Sequence, residues 1–162
     1  MSETLVQSKV QSKLLRAIKK TDVVFSYVKG SSSKSSTRNF TPSKLIKTLK
    51  AGLPVQELDD LRAYLDLPMD NLAPMLGISK ATLHRRKLSG RLDLAESDRV
   101  VRYARLFGLA VEVLESQENA RKWLSAPQIG LGGAIPLEYA ETEVGAREVE
   151  DLLGRIEYSV YS

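Results

Sequence analysis

The stretch that most constrains the fold is DNLAPMLGISKATLHRRKLSG, residues 70–90. Leu72 and Leu76 are four apart, so a helix carries both on one side. Gly77 follows, then the apolar Ile78, then Ser79, a residue that caps helix starts well. Leu83 comes four residues after the cap. An inward pair, a glycine for the sharp turn, an apolar plug and a capped second helix with a buried anchor are the requirements of a helix-turn-helix. A plain helical hairpin with a basic outer face is the simpler reading, but it does not demand that order.

The second helix can be resolved by face. At about 100° per residue, with Leu83 inward, Arg85 and Ala81 point most nearly outward. Thr82 and His84 flank them, and Ser79, Lys80, Arg86 and Lys87 lie toward the sides. Arg85 is the residue expected to read a base edge, since guanidinium meets guanine bidentately. Ala81 lets the helix approach closely. Lys80, Arg86 and Lys87 are expected on phosphates, where they add affinity without sequence information. His84 is expected as a polar contact on the same face. Pro74 is expected in the first turn of the preceding helix, where a missing N–H costs least.

Caps and breakers organise the rest of the 162 residues as helices. Thr41-Pro42 starts one that Gly52 stops. Pro54 opens the next, with Leu58, Leu61 and Leu65 inward, and Pro68 closes it. Asp70 is expected to cap the helix of Leu72 and Leu76. Asp93 and Glu96 fit a capping box. The long helix after them carries Val100, Ala104, Phe107 and Val111 on one side. Ser116 starts a helix reaching Trp123, expected in the core, and GLGG (130–133) must be a loop. Thr142 caps a last helix with Val149, Leu152, Leu153 and Ile156 inward. After residue 41 only RIEYSVYS (155–162) alternates. It reads either as an extended tail or as more of that helix. The class is all-α.

Upstream, residues 4–20 have helical spacing, and DVVFSYV (22–28) is ambiguous between strand and helix. GSSSKSST (30–37) has linker composition. The expected division is a basic N-terminal arm with a Ser-rich linker, 1–40, a helix-turn-helix domain, 41–106, and a C-terminal domain, 107–162.

The net charge of +4 conceals an asymmetry. Residues 1–50 hold eleven Lys and Arg against two Asp and Glu, and residues 112–162 hold four against ten. Opposite ends therefore suit different partners. Cysteine is absent and His84 is the sole histidine, which excludes thiol chemistry and leaves no expected metal site. No apolar run is long enough to span a bilayer and no signal-type apolar region opens the chain, so a cytoplasmic protein without membrane attachment is expected. GLGG lacks the Lys-Ser/Thr of a phosphate loop. The carboxylates of 138–151 lie at helical spacing with no nucleophile–base pair. No enzyme, catalytic residue or cofactor is expected.

The second half adds a resemblance. RLDLAESDRVVRYARL (91–106), ENARKWL (118–124), Pro127 and LGGAIPLEYAETEVGAREVEDLLGRIEYSVYS (131–162) are similar to the antitoxins of the Xre/MbcA/ParS family. Leu83-His84-Arg85-Arg86 also resembles that family's Cro-like helix-turn-helix domain. The resemblance covers about residues 41–162. It implies a small helical toxin-binding domain after the helix-turn-helix, and a place in a bacterial toxin–antitoxin pair. The implied partner is a cognate RES-domain toxin that degrades NAD⁺. From the chemistry of the tail, the C-terminal segment is expected to block that toxin's active site. The resemblance further implies repression of the chain's own operon through operator DNA. A homodimer is expected, because operator half-sites mirror a two-fold protein. The residues expected on the toxin are Arg155, Glu157, Tyr158, Val160, Tyr161 and Ser162. The tyrosines would anchor, having large apolar area and a polar tip. Glu157 and the Ser162 carboxylate would sit near the toxin's phosphate-binding groups. Where the family often has glycine before that valine, this chain has Ser159. A plain helix-turn-helix transcriptional regulator whose C-terminal domain only dimerises is the alternative. A pure inhibitor that keeps the helix-turn-helix as scaffold is the third reading.

Overall fold

The computed structural model describes residues 23–30 and 41–161. The expectations for residues 4–20 and for the linker beyond Gly30 lie outside the described residues. Every regular element among those described is helical. Among the described residues the only pairings of strand type are the isolated bridges Pro54–Arg91 and Gln128–Ala134. The elements are α1 (Val23–Gly30), α2 (Pro42–Ala51), α3 (Gln56–Leu65), α4 (Met69–Met75), α5 (Lys80–Ser89), α6 (Leu94–Leu114), α7 (Gln117–Leu124), a 3₁₀ turn (Ile129–Leu131), α8 (Pro136–Tyr139) and α9 (Glu143–Tyr161).

Helix α6 is the spine. Its buried face is Val100, Ala104, Phe107 and Val111, joined by Tyr103, Leu106 and Ala110. Helices α1, α2, α3, α7 and α9 all pack against it. A single apolar cluster runs from Leu58, Leu61 and Leu72 to Leu137, Val149 and Leu153. The expected boundary at 106/107 falls inside α6, between two residues that are both fully buried.

Local signals place most helix starts. Thr41 Oγ1 accepts the Lys44 amide at 3.3 Å. Asp93 and Glu96 form the reciprocal capping box, with bonds of 2.7 and 3.0 Å. Ser116 and Thr142 cap α7 and α9 through the amides of Asn119 and Gly145. Helix α4 departs from expectation. It begins at Met69 with Pro68 at the cap position, so Asp70 lies inside its first turn and caps nothing. Pro74 therefore stands near the end of α4, one residue before its last, where its missing N–H costs the helix the bond to the Asp70 carbonyl.

Within the ambiguous segment DVVFSYV, the described residues from Val23 on form α1, which packs with the body. Val23, Val24 and Val28 share one side and are buried against α6 and α3. The start of α1 is held from a distance. Glu57 of α3, 3% exposed, accepts the amides of Val23 and Val24 at 2.8 and 3.1 Å. Burial against the spine overrides the strand preference of the valines, because a helix puts them on one face and gives their amides a partner.

Candidate functional site

The helix-turn-helix is α4, the turn at Gly77 and α5. Leu72, Leu76 and Ile78 are buried, and Leu83 is a half-buried anchor packed against the core. Gly77 has φ +69°, and a side chain there would also meet the Arg99 guanidinium, whose Nη1 donates to the Leu76 carbonyl at 3.0 Å. Two independent constraints thus hold the turn. Ser79 caps α5 by accepting the Thr82 amide at 3.2 Å.

Ser79, Lys80, Ala81, His84, Arg85 and Lys87 are exposed on this helix, and Thr82 is partly so. The Thr82 hydroxyl accepts from Ser79 Oγ at 3.0 Å and from Arg85 Nη2 at 3.1 Å. Arg85 is thereby steadied by the same hydroxyl that meets the helix cap. Arg86 also makes ion pairs within the protein. Its Nε donates to the buried Glu96 at 2.6 Å, and its Nη2 reaches Asp93 at 3.2 Å. Its guanidinium fastens the end of α5 to the start of α6. A carboxylate as buried as Glu96 needs such a partner.

The C-terminal tail, which the sequence left open between two conformations, continues α9 as a helix to Tyr161. Gly145, Ala146, Val149 and Leu153 form its buried side, and Leu152 and Ile156 are half-buried. Arg155, Glu157 and Tyr158 are exposed, and the Ser159 hydroxyl donates to the Ile156 carbonyl at 2.9 Å. The side chains of Val160 and Tyr161, and all of Ser162, lie outside the described residues.

Two features that sequence reasoning missed set the pose of α9. The first is an ion-pair network: Arg102 to Glu143 at 3.0 Å, Arg105 to Glu150 at 2.8 Å, and Arg105 to Glu143 at 3.5 Å. For the Glu143 carboxyl, burial pushes upward, but the Arg105, Arg102 and Arg147 guanidiniums outweigh it and hold the group below its ordinary value. Burial works against the Arg105 charge, and the hydrogen bond and charge of Glu150, with Glu143 adding, raise it above its ordinary value. The second is close packing: a Cβ on Gly145 would strike the Tyr139 carbonyl, and one on Gly130 would come within 2.6 Å of Leu152. Tyr103 completes the support, donating to the Leu137 carbonyl at 3.0 Å. Glycines 130 and 145 were the only hints in the sequence, because the charged partners are some forty residues apart. The GLGG segment is the expected turn, with Gly132 and Gly133 at φ +67° and +87°. Trp123 is half-buried against the core.

Among the described residues, no group of His, Asp and Glu side chains could hold a metal ion, and no helix is long and apolar enough to cross a membrane.

Comparison with known proteins agrees with this layout. Residues 44–105 match the family model described as the antitoxin Xre-like helix-turn-helix domain. Residues 109–158 match the antitoxin Xre/MbcA/ParS C-terminal toxin-binding domain. A curated relative named antitoxin Xre, from Yersinia enterocolitica, is 35% identical over 120 residues, covering 73% of this chain and 81% of the relative. Another of that name, from Photorhabdus laumondii, is 31% identical over 116 residues, covering 70% and 78%. A third, from Pseudomonas putida, is 34% identical over 65 residues, covering 40% and 41%. A helix-turn-helix on α4 and α5, followed by a toxin-binding domain, makes this chain a member of the Xre family of antitoxins rather than of any enzyme family.

Proposed function

We propose that the chain neutralises a cognate RES-domain toxin, an NAD⁺-degrading enzyme, by seating the last turns of α9 in the toxin's substrate cleft. The observation that carries this reading is Tyr158. The residue is 79% exposed on a helix whose opposite side is fixed to the body. A ring left so open loses the burial that a partner's pocket restores, and its position on an anchored helix lowers the ordering cost of docking. Arg155 and Glu157 flank it and are exposed as well. A cleft that holds a dinucleotide must present cations or N–H groups to phosphates. Glu157 has the charge for those groups, and Val160 and Tyr161 belong to the same turns.

We further infer that α5 enters the major groove of the chain's own operator, with a homodimer matching two half-sites, in the cytoplasm. The arrangement of Arg85, steadied by Thr82, supports base reading. Lys80 and Lys87 take phosphates. A plain regulator that only dimerises through its second domain is disfavoured by the match of that domain to a toxin-binding family.

The test is NAD⁺ loss by purified toxin with full-length chain, with Tyr158→Ala, and with a chain truncated after Ile156. Retained toxin activity with the truncated chain is the expected result. Unchanged inhibition would overturn active-site blocking. Footprinting the chain's own promoter with Arg85→Ala tests the second part.

A further inference from the structure

Leu88 is the one residue of the outer face of α5 whose chemistry does not fit a phosphate-binding helix. It is 76% exposed, in the last turn before α5 ends at Gly90. The helix geometry puts it about 140° from the half-buried Leu83, and so away from the core. It lies about 20° from Ala81 and about 60° from Arg85 when viewed down the axis. Ala81, Arg85 and Leu88 thus form a single exposed stripe, with the cations Lys80 and Lys87 and with His84 also exposed.

We infer that Leu88 is a base-reading residue whose isobutyl group rests on the C5-methyl of a thymine. The inference rests on the reading that α5 enters the major groove. On that floor the bases offer hydrogen-bonding groups and one apolar feature, the thymine methyl. The basic surroundings select the polyanion as occupant, and the leucine selects which base edge lies beneath the end of the helix. The helix rises about 4.5 Å from Arg85 to Leu88, against about 3.4 Å per base-pair step. The thymine therefore sits one or two base pairs from the guanine that Arg85 reads, displaced toward the C-terminal end of α5.

The experiment uses the full chain and duplexes recovered by selection from a randomised pool. Each thymine of the selected site is replaced in turn by deoxyuridine, which removes only the methyl. The expected result for the unmodified chain is a roughly fourfold loss of affinity at one position in each half-site, the worth of about one buried methyl group. Leu88→Ala is expected to bind the thymine and uracil duplexes equally and to keep its guanine preference. Its unfolding temperature should match that of the unmodified chain, since the side chain is exposed. If Leu88→Ala retains the full uracil penalty, or if uracil is tolerated everywhere by the unmodified chain, Leu88 does not read thymine. If Leu88→Ala instead shifts the oligomer equilibrium and leaves uracil discrimination intact, the residue is a contact to a second copy, and the inference falls. A chain that selects no sequence at all removes the DNA reading itself, whereas intact Arg85-dependent guanine selection without a methyl effect removes only Leu88.

Discussion

Glu57→Ala examines whether residues 23–30 are a working part of the fold. The side chain is 3% exposed, and its two oxygens accept the Val23 and Val24 amides at 2.8 and 3.1 Å. Alanine leaves both donors without that acceptor at the start of a buried helix. Each stranded buried amide costs about 1–3 kcal/mol, so the pair sets an expectation of about 2–6 kcal/mol. Loss of a carboxylate beside a helix N-terminus adds in the same direction. Glu57→Gln keeps one acceptor oxygen and turns a second donor toward the other amide, so roughly half the loss should remain. Urea unfolding measures the total, and amide hydrogen exchange locates it. The amides of α1 should lose protection first, since Val23, Val24 and Val28 can leave α6 before the spine opens. A Glu57→Ala chain within about 0.5 kcal/mol of the parent, with α1 equally protected, would refute the claim that this carboxylate holds α1 in the core.

Arg86→Ala should destabilise by about 2–3 kcal/mol in thermal unfolding, because it strands the buried Glu96, with the figure reduced for the partial solvent access of Arg86. Arg85→Ala should leave the melting temperature unchanged and lose operator selectivity, so an equal loss of stability in the two would contradict the division of labour on α5. Gly145→Ala should lower stability by about 1–3 kcal/mol or more, since its Cβ collides with a carbonyl of the backbone at Tyr139; a silent substitution by calorimetry would refute that packing. Glu143 is held below its ordinary value in the fold, so its stabilisation is present above about pH 4.5 and is lost as pH falls through the lowered value. Urea midpoints of the parent and Glu143→Gln should differ at neutral pH and converge in acid, and a constant difference would be the contrary result.

The helix-turn-helix was legible because its determinants are neighbours. Leu72, Leu76, Gly77, Ile78 and Ser79 act within a few residues of one another, and the Asp93–Glu96 box closes over three. Short-range hydrogen bonds and helical periodicity need no knowledge of the rest of the chain. The same locality misled at Asp70, where Pro68 starts the helix earlier and the best capping residue goes unused. At Arg86 the side chain faced the expected side, yet a carboxylate ten residues away claimed it.

Residue order alone therefore determined the helical class, the turn at Gly77, the caps of α2, α5, α6, α7 and α9, and the outward stripe of α5, all set by contacts a few residues long. Only the tertiary structure decided that residues 23–30 are a helix, that Glu57 holds its start from 34 residues away, and that α9 stays helical to Tyr161. Those outcomes depend on burial against α6 and on ion pairs between distant segments. Such terms exist only once the chain has brought those segments together.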